Sequence, residues 1–192
     1  MKEQFQVKVN GHVVVRDVKT NEIVLDQSNA IHPQNMALII ARSLARDSVT
    51  SPGIFSMSFG NGGTFYNSSN VLIYRPPITV GSSASLYNQT YSVQVDDQSA
   101  GTPATNSVTY AQSTNPAITS VVTIVAQLGA GEPVGQAPTD NITVNPNAPF
   151  VFDEIGLKSS DGLLLSHLVF NPFEKTANRA FLITYTLTIS VS

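Results

Sequence analysis

A strict alternation of apolar and polar side chains near the end of the chain limits its possible folds more than any other feature. Phe, Ile, Tyr, Leu, Ile and Val occupy the odd positions from 181 to 191, and Leu182 is the only apolar residue between them. Successive side chains of a strand point to opposite faces of its sheet, so this period of two predicts a long strand with one face in a core. We therefore expect a protein built largely from β-sheet.

Shorter segments with strand composition are spread over the rest of the chain and are separated by turn residues. They are residues 5–9, 12–15, 22–26, 55–59, 71–74, 91–95, 118–128, 150–157 and 163–170. Ser-Asp-Gly at 160–162 marks a hairpin between the last two segments. Roughly eight to ten strands joined in this way predict an all-β fold, specifically an antiparallel β-sandwich of jelly-roll type.

One segment has helical periodicity instead. Met36, Ile39, Ile40 and Leu44 recur at helical spacing, and Pro33 suits a first helical turn, where its missing N–H costs nothing. The pattern predicts one short helix at about Pro33–Arg46, which lies on the sheet by its apolar face.

The length of 192 residues is sufficient for a single domain with a sizeable core, and we assign residues 1–192 to one β-sandwich domain. Residues 61–117 carry only two short strand-like runs. We interpret them as a loop-rich insertion, and loops of this length are uncommon unless they bind something or pack against a partner.

Charged side chains are nearly absent from the middle of the chain. Residues 48–149 contain five of them, namely Arg75, Asp96, Asp97, Glu132 and Asp140. A β protein normally protects its sheet edges and its solubility with charges, whereas protein interfaces are depleted in Lys and Glu and enriched in aromatic residues. We therefore interpret this region as a surface that another protein covers.

Six aromatic residues of this region are the predicted interface residues. They are Phe65, Tyr66, Tyr74, Tyr87, Tyr91 and Tyr110. The alternative is that some of these rings fill the core of the domain itself.

Composition also excludes several classes of partner. The net charge of −3 argues against a basic groove for nucleic acid. No apolar run approaches the roughly 20 residues of a membrane span, and no apolar segment follows a basic one near the N-terminus. The chain has no cysteine, hence no disulfide and no thiolate metal site. We expect a protein that folds in a reducing cytoplasm and binds neither nucleic acid nor a membrane.

Histidines and glycines offer little for catalysis. His12, His32 and His167 lack the spacing of a zinc site, so we assign them structural roles. Gly60-Asn-Gly-Gly lacks the lysine of a phosphate-binding loop and is predicted to be a turn.

The acidic residues are equally unpromising. Adjacent strand residues point to opposite faces, so we expect one of Asp153 and Glu154 to face solvent. The other is expected to pair with a cation, and the candidates are Lys158, Lys175 and Arg179. Asp96-Asp97, with Asn88 and Asn106 nearby, lacks calcium-loop spacing. The sequence predicts a protein that is not an enzyme, with no cofactor and no metal.

Several segments resemble a block common in virion proteins of tailed bacteriophages. They are Phe-Val-Phe-Asp-Glu-Ile-Gly-Leu-Lys at 150–158, the Ser-Asp-Gly turn, residues 163–179 and Ile-Thr-Tyr-Thr-Leu-Thr-Ile at 183–189. The helix at 33–44, the strand ending in Phe-Gly-Asn-Gly-Gly, and residues 74–81 and 86–91 are similar to the same group. The resemblance covers most of the chain.

The resemblance implies a structural subunit of the virion, of head-decoration, neck-collar or tail-adaptor type, assembled in the host cytoplasm. Its implied partners are capsid, portal, neck or tail subunits and further copies of itself. Within the block, Gly156 is expected to allow close packing, Asn171-Pro172 to end a strand, and the two carboxylates to fix the return of Lys175 or Arg179.

Two other functions remain open. The first alternative is a carbohydrate-binding module that attaches the virion to its host, since exposed Tyr with Asn and Asp would bind sugars. The absence of Trp weakens it. A glycoside hydrolase would need two convergent carboxylates, and the sequence offers no convincing pair.

Overall fold

The computed structural model describes residues 6–45, 53–96, 100–113, 119–133 and 150–191. These residues form eleven strands and one helix. The elements are β1 Val7–Asp17, β2 Ile23–Ile31, α1 Pro33–Ala45, β3 Ile54–Gly60, β4 Thr64–Tyr66, β5 Leu72–Tyr74, β6 Gln89–Gln94, β7 Ser107–Gln112, β8 Thr119–Leu128, β9 Phe150–Ser159, β10 Leu164–Lys175 and β11 Phe181–Val191.

Nine strands form one antiparallel sheet in the order β6-β3-β9-β10-β2-β1-β11-β8-β7, while β4 and β5 form a separate hairpin. The sheet curls at β2. Residues 23–29 of β2 pair with β1, whereas Ala30 and Ile31 pair with β10. A strand that changes partner in this way turns a corner between two layers.

Side chains from the two halves of the curled sheet meet in the core. Tyr185 of β11 donates a hydrogen bond to Ser166 of β10 over 2.7 Å, and both residues are fully buried. The rings of Phe173 and Phe181 lie 5.3 Å apart. The odd positions 181–187 of β11 are buried, as their alternation predicts. The all-β prediction is therefore confirmed.

The helix begins where predicted because its first turn is capped and tied to the sheet. The amide of Asn35 donates to Nδ1 of His32 at 3.3 Å, and the Asn35 side chain donates to the carbonyl of Leu164 at 2.9 Å. The structure describes the helix to Ala45, so Arg46 lies outside the described residues. No helix in the described parts of the chain is long and apolar enough to cross a membrane.

Only half of the predicted apolar stripe packs on the sheet. Met36 and Ile39 are buried, whereas Ile40 is partly exposed and Leu44 is 81% exposed. The expectation that the whole stripe lies on the sheet is therefore wrong for the last turn of α1.

The stretch 61–117 contributes to the sheet itself. Its β6 pairs with β3 and its β7 pairs with β8, so these two strands form the two edges of the nine-stranded sheet. The chain between β3 and β6, which includes the β4–β5 hairpin and the segment 75–88, lies over the outer face of β9 and β10. There its backbone amides donate hydrogen bonds to Asp153, Glu154 and His167.

Asn171-Pro172 does not end its strand, contrary to the prediction. β10 continues to Lys175, and its pairing with β9 is irregular between Val169 and Phe173. Proline has no N–H for a regular ladder, and a bulge accommodates it without ending the strand.

Candidate functional site

The most unusual internal feature is a buried carboxylate that binds a buried imidazole. Glu154 of β9 and His167 of β10 both have fully buried side chains, and Oε2 of Glu154 lies 3.0 Å from Nε2 of His167. The amide of Ile78 donates to Nδ1 of His167 at 2.9 Å, so Nδ1 carries no proton. The ring therefore accepts at Nδ1 and donates from Nε2 to Glu154.

Glu154 also binds backbone from two loops. Its Oε1 accepts the amides of Asn88 at 2.7 Å and Gly62 at 3.2 Å, and its Oε2 accepts the amide of Tyr87 at 2.9 Å. Burial raises the pKa of Glu154, but the hydrogen bonds from His167, Asn88 and Tyr87 outweigh burial and hold the pKa below its ordinary value. Glu154 is thus a charged carboxylate, and both of its oxygens accept hydrogen bonds.

Asp153 performs the same task beside it. Its Oδ1 accepts the amide of Gly63 at 2.8 Å, and its Oδ2 accepts the amide and the hydroxyl of Thr64 at 2.8 and 2.5 Å. Burial raises the pKa of Asp153 above its ordinary value in spite of these donors. We call Asp153, Glu154 and His167, with the loop amides that they bind, the carboxylate clamp.

The clamp corrects the prediction that one of the two carboxylates faces solvent. Both are buried, and both reach the turn at 60–64 from the same side of the sheet. The irregular pairing of β9 with β10 occurs at this point and breaks the simple alternation of side chains.

Neither carboxylate forms an ion pair with the three cations proposed for it. Lys158 feels the charge of Glu154 but donates to Ser85 and Gln89, at 3.0 and 2.6 Å. Lys175 is buried and donates to the carbonyl of Thr176. Arg179 pairs with Asp17 at 2.8 Å. The clamp binds backbone amides where cations were expected.

Glycines make this close approach possible. A Cβ on Gly60 would lie 2.4 Å from Oε1 of Glu154, and a Cβ on Gly63 would lie 2.9 Å from the carbonyl oxygen of Asp153. The turn thus presents amides to anions, as phosphate-binding loops do, but the anions are carboxylates of the protein itself. The predicted role of Gly156 is confirmed, because Leu86 packs directly over it and a Cβ there would lie 2.9 Å from Leu86 Cδ1.

Aromatic residues hold the segment 75–88, which we call the covering segment, against the sheet from outside. The guanidinium of Arg75 lies 5.4 Å from the centroid of the Phe65 ring and 5.0 Å from that of Tyr87. The Tyr87 hydroxyl donates to the carbonyl of Pro76 at 2.8 Å, and that of Tyr74 donates to Asn171 at 3.2 Å. These predicted interface residues therefore have intramolecular contacts as well as exposed surface.

The six predicted interface aromatics do not form one patch. Tyr91 packs against the core and its ring lies 6.3 Å from that of Phe59, as the core-filling alternative predicts for some of these rings. Phe65, Tyr66 and Tyr74 are exposed on the β4–β5 hairpin, and Tyr87 is half-buried beside it. Tyr110 lies apart, on β7, and is 85% exposed.

An apolar groove of about 710 Å³ lies beside Tyr110. Its walls come from α1, β3, β7, β8, β10 and β11, and they include Ile40 and Leu44 on the helix and Val108 and Tyr110 on β7. The unused part of the helix stripe therefore faces an edge strand across an open depression.

The two edges of the sheet are covered differently. The backbone of β6 ends at Gln94, whose carbonyl accepts a hydrogen bond from Asn106 at 2.8 Å, while Asn106 also accepts the amide of Gln127 at 2.9 Å. Burial raises the pKa of Tyr91 on β6, and the negative charge of Glu132 raises it further. On β7, the described residues outside β8 make no backbone hydrogen bond to 107–112.

Sequence reasoning considered Asn106 only as a calcium ligand and missed its structural role. It joins β6 to β8 across the gap between the sheet edges. Its position between two uncharged segments gave no signal of that role. Asp97 lies outside the described residues, and among those that the structure describes no group of three His, Asp or Glu side chains could hold a metal.

The other two histidines have structural roles outside the clamp. His12 pairs with Asp26 at 2.9 Å on the surface, and His32 caps α1.

No family model, curated protein or solved structure matches this chain.

Proposed function

We propose that this chain is a non-catalytic structural subunit of a tailed-bacteriophage particle, of head-decoration, neck-collar or tail-adaptor type. It acts by protein–protein assembly, folds as a β-sandwich of jelly-roll type, and assembles in the host cytoplasm before it becomes part of the virion. The observation that carries the assembly role is the uncharged edge strand β7 beside an apolar groove. The resemblance of segments within 150–189 to virion proteins supplies the kind of particle.

The state of the polar residues supports this proposal. A general acid or base must present a titratable group to a substrate. Glu154 and His167 are fully buried, and each has its acceptor or donor atoms engaged by the protein's own backbone or by the other. Their arrangement orders loops, which is a structural task.

Carbohydrate binding is supported less well. A depression of about 460 Å³ beside the β4–β5 hairpin is lined by Tyr66, Asp153 and Glu174, and Tyr66 is 67% exposed. However, Asp153 already binds Gly63 and Thr64, and the Phe65 ring is stacked with Arg75. Among the described residues that line this depression, Tyr66 and Glu174 are left to bind a sugar.

Purified particles from a host that carries the gene provide the test. We expect an antibody raised against the purified chain to label one fixed station on the particles in electron micrographs, and mass spectrometry to find the chain at constant stoichiometry after density-gradient purification. Absence of the chain from gradient-purified particles would contradict the proposal.

A glycan array tests the alternative independently. We expect wild-type protein and the Tyr66→Ala variant to give the same background signal. Saturable binding of one glycan that Tyr66→Ala abolishes would favour the attachment module.

A further inference from the structure

Strand β7 has the physical character of an unfinished sheet edge. Ser107, Thr109 and Ala111 lie in register with β8, and the hydrogen bond from the amide of Ser113 to the carbonyl of Thr119 fixes the odd residues as the ones bonded to β8. In an antiparallel ladder the intervening residues direct their N–H and C=O groups away from that partner. Val108, Tyr110 and Gln112 therefore direct their backbone groups outward.

The side chains of β7 offer none of the usual protection of such an edge. Ser-Val-Thr-Tyr-Ala-Gln contains no charge and no proline, and residues 109–112 are exposed. Natural edge strands avoid pairing by means of lysine, proline, bulges or a covering loop. Among the residues that the structure describes, the other edge strand β6 has such cover at Gln94 from Asn106.

We infer that β7 pairs with β7 of a second copy of this chain, antiparallel and about a two-fold axis. The inference rests on the proposed assembly function and names its partner. Outward backbone groups require an extended strand as occupant, and an uncharged strand can lie beside its own sequence without placing like charges opposite each other. Because Asn106 occupies the Gln94 carbonyl at the end of β6, we take β7 against β7 in preference to a head-to-tail contact between β6 and β7.

The pairing that uses all three outward residues places Tyr110 opposite Tyr110 of the partner and Val108 opposite Gln112. A two-fold axis perpendicular to the sheet keeps both apolar grooves on the same side and makes them neighbours. Tyr110, which is 85% exposed in one chain, then joins the continuous apolar surface that Ile40 and Leu44 begin.

Sedimentation velocity of the purified full chain over a range of concentrations tests the pairing. We expect a monomer–dimer equilibrium for the wild type, and for Tyr110→Lys a dissociation constant raised at least about a hundredfold, because two ammonium groups would face each other across the axis. The matched control Tyr66→Lys makes the same change on the β4–β5 hairpin and should leave the equilibrium unchanged. Each variant should keep the wild-type melting temperature when monomeric.

A cysteine variant tests the register directly, because the natural chain contains no cysteine. Residues of a hydrogen-bonded antiparallel pair have Cα atoms about 5.5 Å apart, which a disulfide can span. Mild oxidation should therefore join Tyr110→Cys into a covalent dimer and leave Tyr66→Cys monomeric.

Three results would overturn the inference. They are a wild type that stays monomeric up to about millimolar concentration, where only weak contacts remain, a dimer that Tyr110→Lys leaves intact, and open polymers in place of a closed dimer. Because these measurements use isolated protein, they can fail while the chain is still found in particles, so the two proposals are separable.

Discussion

The carboxylate clamp and the β7 edge treat backbone polar groups in opposite ways. At the clamp, one buried carboxylate, Glu154, binds the amides of Gly62, Tyr87 and Asn88. At β7, a row of backbone groups has no partner among the described residues outside β8. Among the described residues, the first region has its hydrogen-bond partners and the outer edge of the second does not.

This difference is informative because burying an unpaired polar group costs more than a hydrogen bond gains. Asp153 and Glu154 bind loop amides at the clamp, whereas the described residues provide no such partners along the outer edge of β7. The contrast is consistent with our proposal that the clamp serves the stability of the monomer and that β7 serves association. Substitutions in the two regions should therefore affect different measurements.

The largest effect is expected at the clamp. Glu154→Gln replaces one acceptor oxygen with an NH₂ group that faces donors, leaving about two buried donors unpaired. We expect the free energy of unfolding to fall by about 3 kcal/mol in urea titrations. Glu174→Gln, the same change at an exposed position of β10, is the control and should cost less than about 0.5 kcal/mol. Equal losses in both variants would remove the clamp's special status.

A smaller loss is expected where the covering segment touches the sheet. A methyl group on Gly156 would lie 2.9 Å from Leu86, Leu164 and the Ser166 carbonyl. Gly156→Ala should therefore destabilise the protein by about 1–3 kcal/mol through overpacking. Gly53→Ala is the control, because no described residue beyond its chain neighbours has an atom within 4 Å of its Cβ position. A neutral Gly156→Ala would mean that Leu86 does not pack as described.

The aromatic contacts of Arg75 should contribute less again. Arg75→Met keeps the apolar stem and removes the cation between Phe65 and Tyr87. We expect a loss of about 0.5–1 kcal/mol by chemical denaturation, and faster cleavage by chymotrypsin after Phe65 or Tyr66. Lys19→Met, at an exposed turn, should change neither measurement. Unchanged cleavage would show that the hairpin is held by other contacts.

A carboxylate outside both regions should show the smallest effect, seen as a change in how stability depends on pH. The amide of Thr20 and the side chain of Arg179 lower the pKa of Asp17 from 3.8 to about 2. The unfolded chain therefore takes up this proton first, so the stability due to Asp17 is present above about pH 4 and is lost as the pH falls towards 2. When urea unfolding is measured at several pH values across this range, the free energy of unfolding should fall less steeply with decreasing pH for Asp17→Asn than for the wild type. Identical slopes would contradict the assignment.

The sequence predicted those features that depend on local pattern. The alternation at 181–191 identified β11 and its buried face, and the spacing of Met36 and Ile39 identified α1. The rule that adjacent strand residues point to opposite faces failed at Asp153 and Glu154. There an irregular pairing with β10 brings adjacent side chains to one loop.

The candidate site was harder to predict than the fold. Low charge and aromatic content drew attention to 61–117, yet the six aromatics divide among core, hairpin and edge because their positions depend on strand order. The pairing of His167 with Glu154 depends on the β9–β10 register, and the match of Ile78 to Nδ1 depends on a loop path without periodicity. No local signal specifies either contact.

The corner at β2 has a consequence for how the protein opens. Only two residues of β2, Ala30 and Ile31, pair with β10, and the partner of Ala30 is His167. The imidazole that stands under the covering segment therefore belongs to the same short seam that joins the two halves of the sheet. Amide hydrogen exchange at Ala30, Ile31 and Ile78 should accordingly report a single cooperative opening, in which the covering segment lifts as the halves part.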